Sequence, residues 1–156
     1  IDRSQYMTLS VQSCRGCPFD CEFCDVVALN GRKPRYKSPT QFVSEIEYLH
    51  QLGWRGPVFV VDDNFVGDPR RCRDILRELI AWRGRSGSKI TFITEASVNM
   101  AADAELLELM TQAGFKKVFL AWKPPAQPAC ASAGNCRICA ATWPHPSAPS
   151  RRLASK

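Results

Sequence analysis

Short apolar runs alternate with amphipathic helical stretches along most of this chain, and that alternation limits the fold more than any other feature. Residues 5–13 (QYMTLSVQS) alternate in polarity and include β-formers, which predicts a first strand. Ser38 precedes Pro39 with Gln41 three residues on, a capping-box start with proline at the first helical position. Phe42, Val43, Ile46, Leu49 and Leu52 follow at helical spacing, and Gly53 stands where a helix-ending glycine belongs. PVFVVDD (57–63) reads as a strand covered on both faces. Asp68-Pro69 opens a second helix with Cys72, Ile75, Leu76, Leu79 and Ile80 on one side. ITFITE (90–95) is another buried strand, and a third helix over 103–113 carries Leu106, Leu107 and Met110 and stops at Gly114. KKVFL (116–120) is the last strand, while 25–38 reads as basic and irregular. Three and a half strand–helix units predict an α/β fold with a parallel sheet and right-handed crossovers. Periodicity does not distinguish a barrel from an open sheet.

Within that frame, Cys17, Cys21 and Cys24 form the run CPFDCEFC immediately after the first strand. The spacing C-x3-C-x2-C supplies three thiolates from one short loop. A cubane iron–sulfur cluster has four irons, so three protein thiolates leave one iron open to another ligand. A rival reading is a non-catalytic zinc or electron-transfer module that adds Cys14, giving C-x2-C-x3-C-x2-C. The two histidines, His50 and His145, both lie far from the loop in sequence. Cys72 fits the buried helix face and is expected to be inert.

The cysteine loop resembles the signature of the radical S-adenosylmethionine (radical SAM) enzymes, C-x3-C-x-aromatic-C, with Phe23 in the aromatic slot. The flanking words CRGCPFDCEFCD, GRKPRYKSPTQ, GWRGPVFVVDDNFVGD and FITEASVNMAAD resemble the cobalamin-dependent branch containing hopanoid-type methylases, over residues 1–120. The resemblance implies a partial (β/α)6 barrel holding a 4Fe-4S cluster through Cys17, Cys21 and Cys24. It also implies SAM chelated on the open iron and cleaved by one electron to a 5′-deoxyadenosyl radical. Cobalamin is implied for the full-length parent, in a domain before Ile1, with methylation of an unreactive carbon as the reaction. Implied partners are a small-molecule or lipid-like substrate and a reductant such as flavodoxin or ferredoxin. Phe23 is then expected to pack near the adenine. Asp62 and Asp63 are expected to contact the methionyl amine, with the inward-facing one left open; capping of the turn is the alternative. Glu95 and Ser97, with Asn64 and Asn99 nearby, fall on the same rim, because ligands gather where parallel strands meet their following loops. Glu95 ends an apolar strand, where a buried ionised carboxylate needs a partner. Asp68 is expected to cap its helix, and Arg32, Lys33, Arg35 and Lys37 to form a solvated loop.

Net charge gives no case for a nucleic-acid surface. The first 120 residues carry 16 basic and 15 acidic side chains, so the formal +6 arises almost wholly from the last 36, with five basic residues and no acid. No apolar run of about 18 residues predicts a membrane span. Eight cysteines without a secretory signal point to metal in a reducing cytoplasm rather than disulfides. Residues 121–156 hold six of the 11 prolines and no apolar periodicity, and their composition predicts a disordered tail. AWKPP (121–125) can be encoded by GCA TGG AAA CCC CCN; shifted back one base, after a codon ending in G, this spells Gly-Met-Glu-Thr-Pro, the type of segment the resemblance implies at this point. A frameshift near Leu120 is therefore expected, and the gene's nucleotide sequence tests it. Cys130, Cys136 and Cys139 belong to that tail and are not expected to hold a second cluster.

Overall fold

The computed structural model describes residues 5–19, 21 and 24–121. The tail after Ala121, with Cys130, Cys136, Cys139 and the frameshift expected there, lies outside the described residues, as does Phe23. Four parallel strands form the main sheet in the order β1 (Leu9–Val11), β4 (Val58–Val60), β5 (Phe92–Ser97) and β6 (Phe115–Ala121). Their register aligns Leu9 with Val58, Val58 with Phe92, and Thr94 with Val118. A two-stranded antiparallel ribbon, β2 (Cys14–Arg15) with β3 (Arg35–Tyr36), stands beside it. Between the ribbon's strands lies the short helix α1 (Val26–Asn30). This is the expected α/β architecture of three and a half strand–helix units.

The three long helices start and stop where local chemistry dictates. In α2 (Pro39–Gln51), Ser38 Oγ accepts from Gln41 N at 3.1 Å and Gln41 Oε1 accepts from Ser38 N at 2.9 Å. Two of the orphan N–H groups at the helix start are thereby satisfied. In α3 (Pro69–Ser86), Asp68 accepts from Arg70 N and Arg71 N, and the helix ends at Gly87. In α4 (Ala104–Ala113), Asp103 accepts from Leu106 N at 3.0 Å. Gly114 closes α4 with φ +97°, and a Cβ there would fall 2.6 Å from Arg83 Nη1. Arg83 Nη1 itself donates to Ile90 O. Gly114→Ala is therefore expected to cost about 1–2 kcal/mol, because an L side chain in that backbone region crowds its own carbonyl. A lowered urea midpoint with unchanged slope checks it.

Sequential strand order with right-handed crossovers puts α2, α3 and α4 on one face of the sheet. Along β5, Phe92, Thr94 and Ala96 are buried on that side, while Glu95 and Ser97 occupy the other face. The core joins Val58, Val60, Phe92 and Ile90 to Phe42 and Ile46 of α2, Ile75, Leu76, Leu79 and Trp82 of α3, and Leu106 and Met110 of α4. Each fully buried Leu, Ile or Phe contributes roughly 1.5–3 kcal/mol of transfer free energy. Trp82 Nε1 donates to Glu47, tying α3 to α2, and Arg73 Nη2 meets Asp103 Oδ2 at 2.5 Å, tying α3 to α4.

Two expectations need correction. The first strand is limited to Leu9–Val11, because from Ser13 the backbone turns into the ribbon. Segment 25–38 contains α1 and β3 rather than being irregular throughout. The third helix forms as expected, with its buried stripe through Leu106, Met110 and Ala113 and Leu107 38% exposed.

Candidate cofactor site

The cysteine loop hangs from the end of β1 and is closed at its base. Cys14 and Arg15 pair with Tyr36 and Arg35, and Lys37 N donates to Ser13 O at 2.9 Å. At the loop's start Gly16 has φ +102°, and a Cβ there would stand 3.1 Å from Gly31 O and 3.3 Å from Pro34 Cα. Only glycine combines that backbone conformation with so close an approach. Cys24 N donates to Cys21 O at 3.0 Å, tying the third cysteine to the second. Cys17, Cys21 and Cys24 are all partly exposed and line one cavity of about 470 Å³. Its other walls include Asp63 and Asn64 after β4, Glu95 and Ser97 on β5, Asn99 beyond it, and Phe119 and Leu120 on β6. Among the described residues no three His, Cys, Asp or Glu side chains gather to hold a single metal ion. A cubane asks for something else, one thiolate at each of several irons, and three thiols spread along one cavity wall suit it.

The aspartate pair after β4 frames this loop. Asp62 is 2% exposed; its Oδ1 accepts from Ser13 N at 2.7 Å and Cys14 N at 3.0 Å, and its Oδ2 accepts from Ser13 Oγ. Burial raises its pKa, and those hydrogen bonds oppose the rise. Asp62 does not line the cavity, so the carboxylate expected against SAM is engaged with the stem of the loop instead. Asp63 is the inward-facing member. Its Oδ2 accepts from Gly16 N at 2.7 Å and Asn30 Nδ2 at 3.2 Å, and the residue lines the cavity.

Asn64 sits between loop and sheet. Its Oδ1 accepts from Ser97 N at 3.1 Å, and its Nδ2 lies 3.3 Å from Ser97 Oγ and 4.0 Å from Cys17 Sγ. Phe65 N donates to Glu95 O at 3.0 Å, fixing the same turn to β5. Glu95 is exposed on the cavity wall, which corrects the expectation of a buried carboxylate in need of a partner. Cys14 is 2% exposed and off the cavity, with Sγ 3.7 Å from Gly16 O. Burial, with Asp62 nearby, pushes its thiol up to about 12. Cys72 is wholly buried under α3, and burial raises its thiol further. Sequence reasoning placed Asn64 on the rim but gave it no role, and its position third in Asp-Asp-Asn was the available signal.

The parallel sheet, the thiol-lined cavity at its strand ends and the C-x3-C-x2-C loop define an α/β domain with a three-cysteine cavity. The chain matches the profile of the Radical SAM superfamily over residues 11–123 and belongs to that superfamily. It is 48% identical over 125 residues to an uncharacterized methyltransferase from Synechocystis sp., covering 80% of this chain and 23% of that protein. It is 41% identical over 122 residues to the hopanoid C-2 methylase of Rhodopseudomonas palustris, covering 78% and 23%. The chain thus spans 23% of the length of both curated relatives. Among solved structures, it resembles the radical SAM methyltransferase TsrM from Kitasatospora setae with cobalamin and a [4Fe-4S] cluster bound. That match has TM-score 0.66 at 20% identity and covers 72% of this chain and 22% of the other. The cobalamin-dependent radical enzyme OxsB, with aqua-cobalamin and SAM bound, matches at TM-score 0.59 and 19% identity, covering 72% and 18%. At these identities the structural likeness concerns the fold. Among the described residues, no helix is long and apolar enough to cross a membrane.

Proposed function

We propose that this chain is the cluster- and SAM-binding portion of a radical SAM enzyme, with Cys17, Cys21 and Cys24 each giving one thiolate to a [4Fe-4S] cluster. The observation that carries this reading is the single cavity shared by those three thiols and a polar rim of Asp63, Asn64, Glu95 and Ser97. When bound, the cluster supplies the electron for reductive cleavage of SAM, and the protein's part is placement and exclusion of water. SAM carries a sulfonium and an ammonium, and the carboxylates of Asp63 and Glu95 on one wall complement that charge. Ser97 offers a hydroxyl to the ribose or the methionyl group. Phe119, paired beside Glu95 in the sheet, and Leu120 add apolar surface to the cavity. Phe23, which lies outside the described residues, is assigned to packing near the adenine on the resemblance alone. Cys14, buried and off the cavity, supports three-thiolate ligation over a four-cysteine electron-transfer or zinc module.

For the whole protein we propose methylation of an unreactive carbon on a small-molecule or lipid-like substrate; the methyltransferase and hopanoid C-2 methylase relatives support the methylation, and the cobalamin bound in the TsrM and OxsB structures suggests that cofactor. Cytoplasmic flavodoxin or ferredoxin would supply the electron. The test is anaerobic reconstitution with iron and sulfide, followed by reduction and EPR spectroscopy with and without SAM. The expected result is a cubane signal whose g-values change when SAM is added. A cluster indifferent to SAM, or no cluster uptake at all, overturns the reading.

A further inference from the structure

We infer that Asn64 is a positioning residue that donates to the sulfur of Cys17 and so sets the electron affinity of the cluster, while anchoring that sulfur to the β5 rim. The inference rests on the cluster reading above and concerns a residue outside the ligand set. Its orientation is set by a neighbour. Ser97 N can only donate, and it lies 3.1 Å from Asn64 Oδ1, so the carbonyl end of the amide must face β5. The NH2 end is then left to face Ser97 Oγ at 3.3 Å and Cys17 Sγ at 4.0 Å. A flipped amide would set two donors against each other at Ser97 and leave Cys17 facing a carbonyl oxygen. Asn64 is itself buried, at 5% exposed, and its contacts lie at the cavity wall.

An N–H aimed at a ligating thiolate stabilises the added negative charge of the reduced state, which raises the reduction potential. The same amide bridges the first cysteine to Ser97 on the proposed SAM rim. The Cys17 sulfur and that rim are therefore held at a fixed separation by one side chain. Asp62 and Asp63 fix the backbone of the loop, whereas Asn64 contacts a proposed ligand atom.

Asn64→Asp keeps an oxygen for Ser97 N and replaces the donor with an acidic acceptor; Asn64→Ala removes the donor and adds no charge. The experiment is an EPR-monitored redox titration of the reconstituted chain and both variants, alongside urea unfolding. The midpoint potential is expected to become more negative in both variants, and more so in Asn64→Asp. Loss of cluster from both variants with unchanged urea midpoints also supports the inference, because the defect is then at the ligand and not in the fold. Full cluster content with unchanged potentials overturns it, as does a collapse of the urea midpoint in both variants, which would make Asn64 a folding residue only. Failure of the parent chain to take up a cluster would instead overturn the cluster reading.

Discussion

Alanine at Cys17, Cys21 or Cys24 is expected to reduce cluster iron after reconstitution to background and abolish the SAM-dependent EPR change, whereas Cys14→Ala retains both. All three thiols come from one eight-residue loop that lines the cavity, and no other described cysteine reaches it. Removing one leaves two corners of a cube without enough protein to hold it. Cys14 is the nearest substitute in sequence, yet it is buried off the cavity, and burial disfavours the thiolate that ligation needs. Its Sγ is also directed at Gly16 O. Iron and sulfide content, read with the EPR spectrum, decides the matter. A Cys14→Ala chain that loses its cluster while a Cys17→Ala chain keeps one would rule out the assigned ligand set.

The second large effect concerns folding rather than the cluster. Asp62→Ala leaves Ser13 N, Cys14 N and Ser13 Oγ buried without their acceptor. An orphaned buried donor costs about 1–3 kcal/mol, so the variant is expected to lose about 3 kcal/mol or more in urea unfolding. Asp62→Asn retains an Oδ1 for both backbone donors and removes the buried charge, so its loss should be much smaller. The two also differ in pH dependence. Burial is the main influence on Asp62 and raises its pKa above the unfolded value, so the folded chain holds that proton more tightly. The stability from this group is therefore fully present below the ordinary carboxylate range and is lost as pH rises through the folded-state value. Relative to the parent, Asp62→Asn should gain stability as pH increases from about 4. A constant difference across that range would show that Asp62 does not titrate as burial requires.

Much of this arrangement is legible in the chain because its signals are local. Ser38, Pro39 and Gln41 announce α2 within four residues, and Asp68-Pro69 and Gly87 bracket α3 by the same chemistry. The cysteine trio is equally local. What escapes is either too short to have a period or decided by distant partners. Strands β2 and β3 have two residues each, and α1 has neither a side-chain cap nor a buried residue. Trp82 was not expected in the buried stripe of α3, although it lies three residues after Leu79 on the same face. Asp62 and Asp63 are chemically alike and adjacent, and only the positions of Ser13 and Gly16, 49 and 47 residues upstream, separate their roles. Asn64 likewise acquires its meaning from Ser97, 33 residues downstream.

The span of those ties has a consequence for how the molecule is made. Every side-chain bond from the Asp-Asp-Asn turn to the stem of the cysteine loop joins parts of the chain 47–49 residues apart. Closing so long an interval must precede any reward from the contact, and such non-local pairings form late. The loop therefore acquires its shape only after the neighbouring strands have docked, and a ribosome must release the β4 turn before the thiols behind Ser13 are held in place. On the proposed cluster reading, the thiols gain their fixed spacing only once the polypeptide around them has assembled.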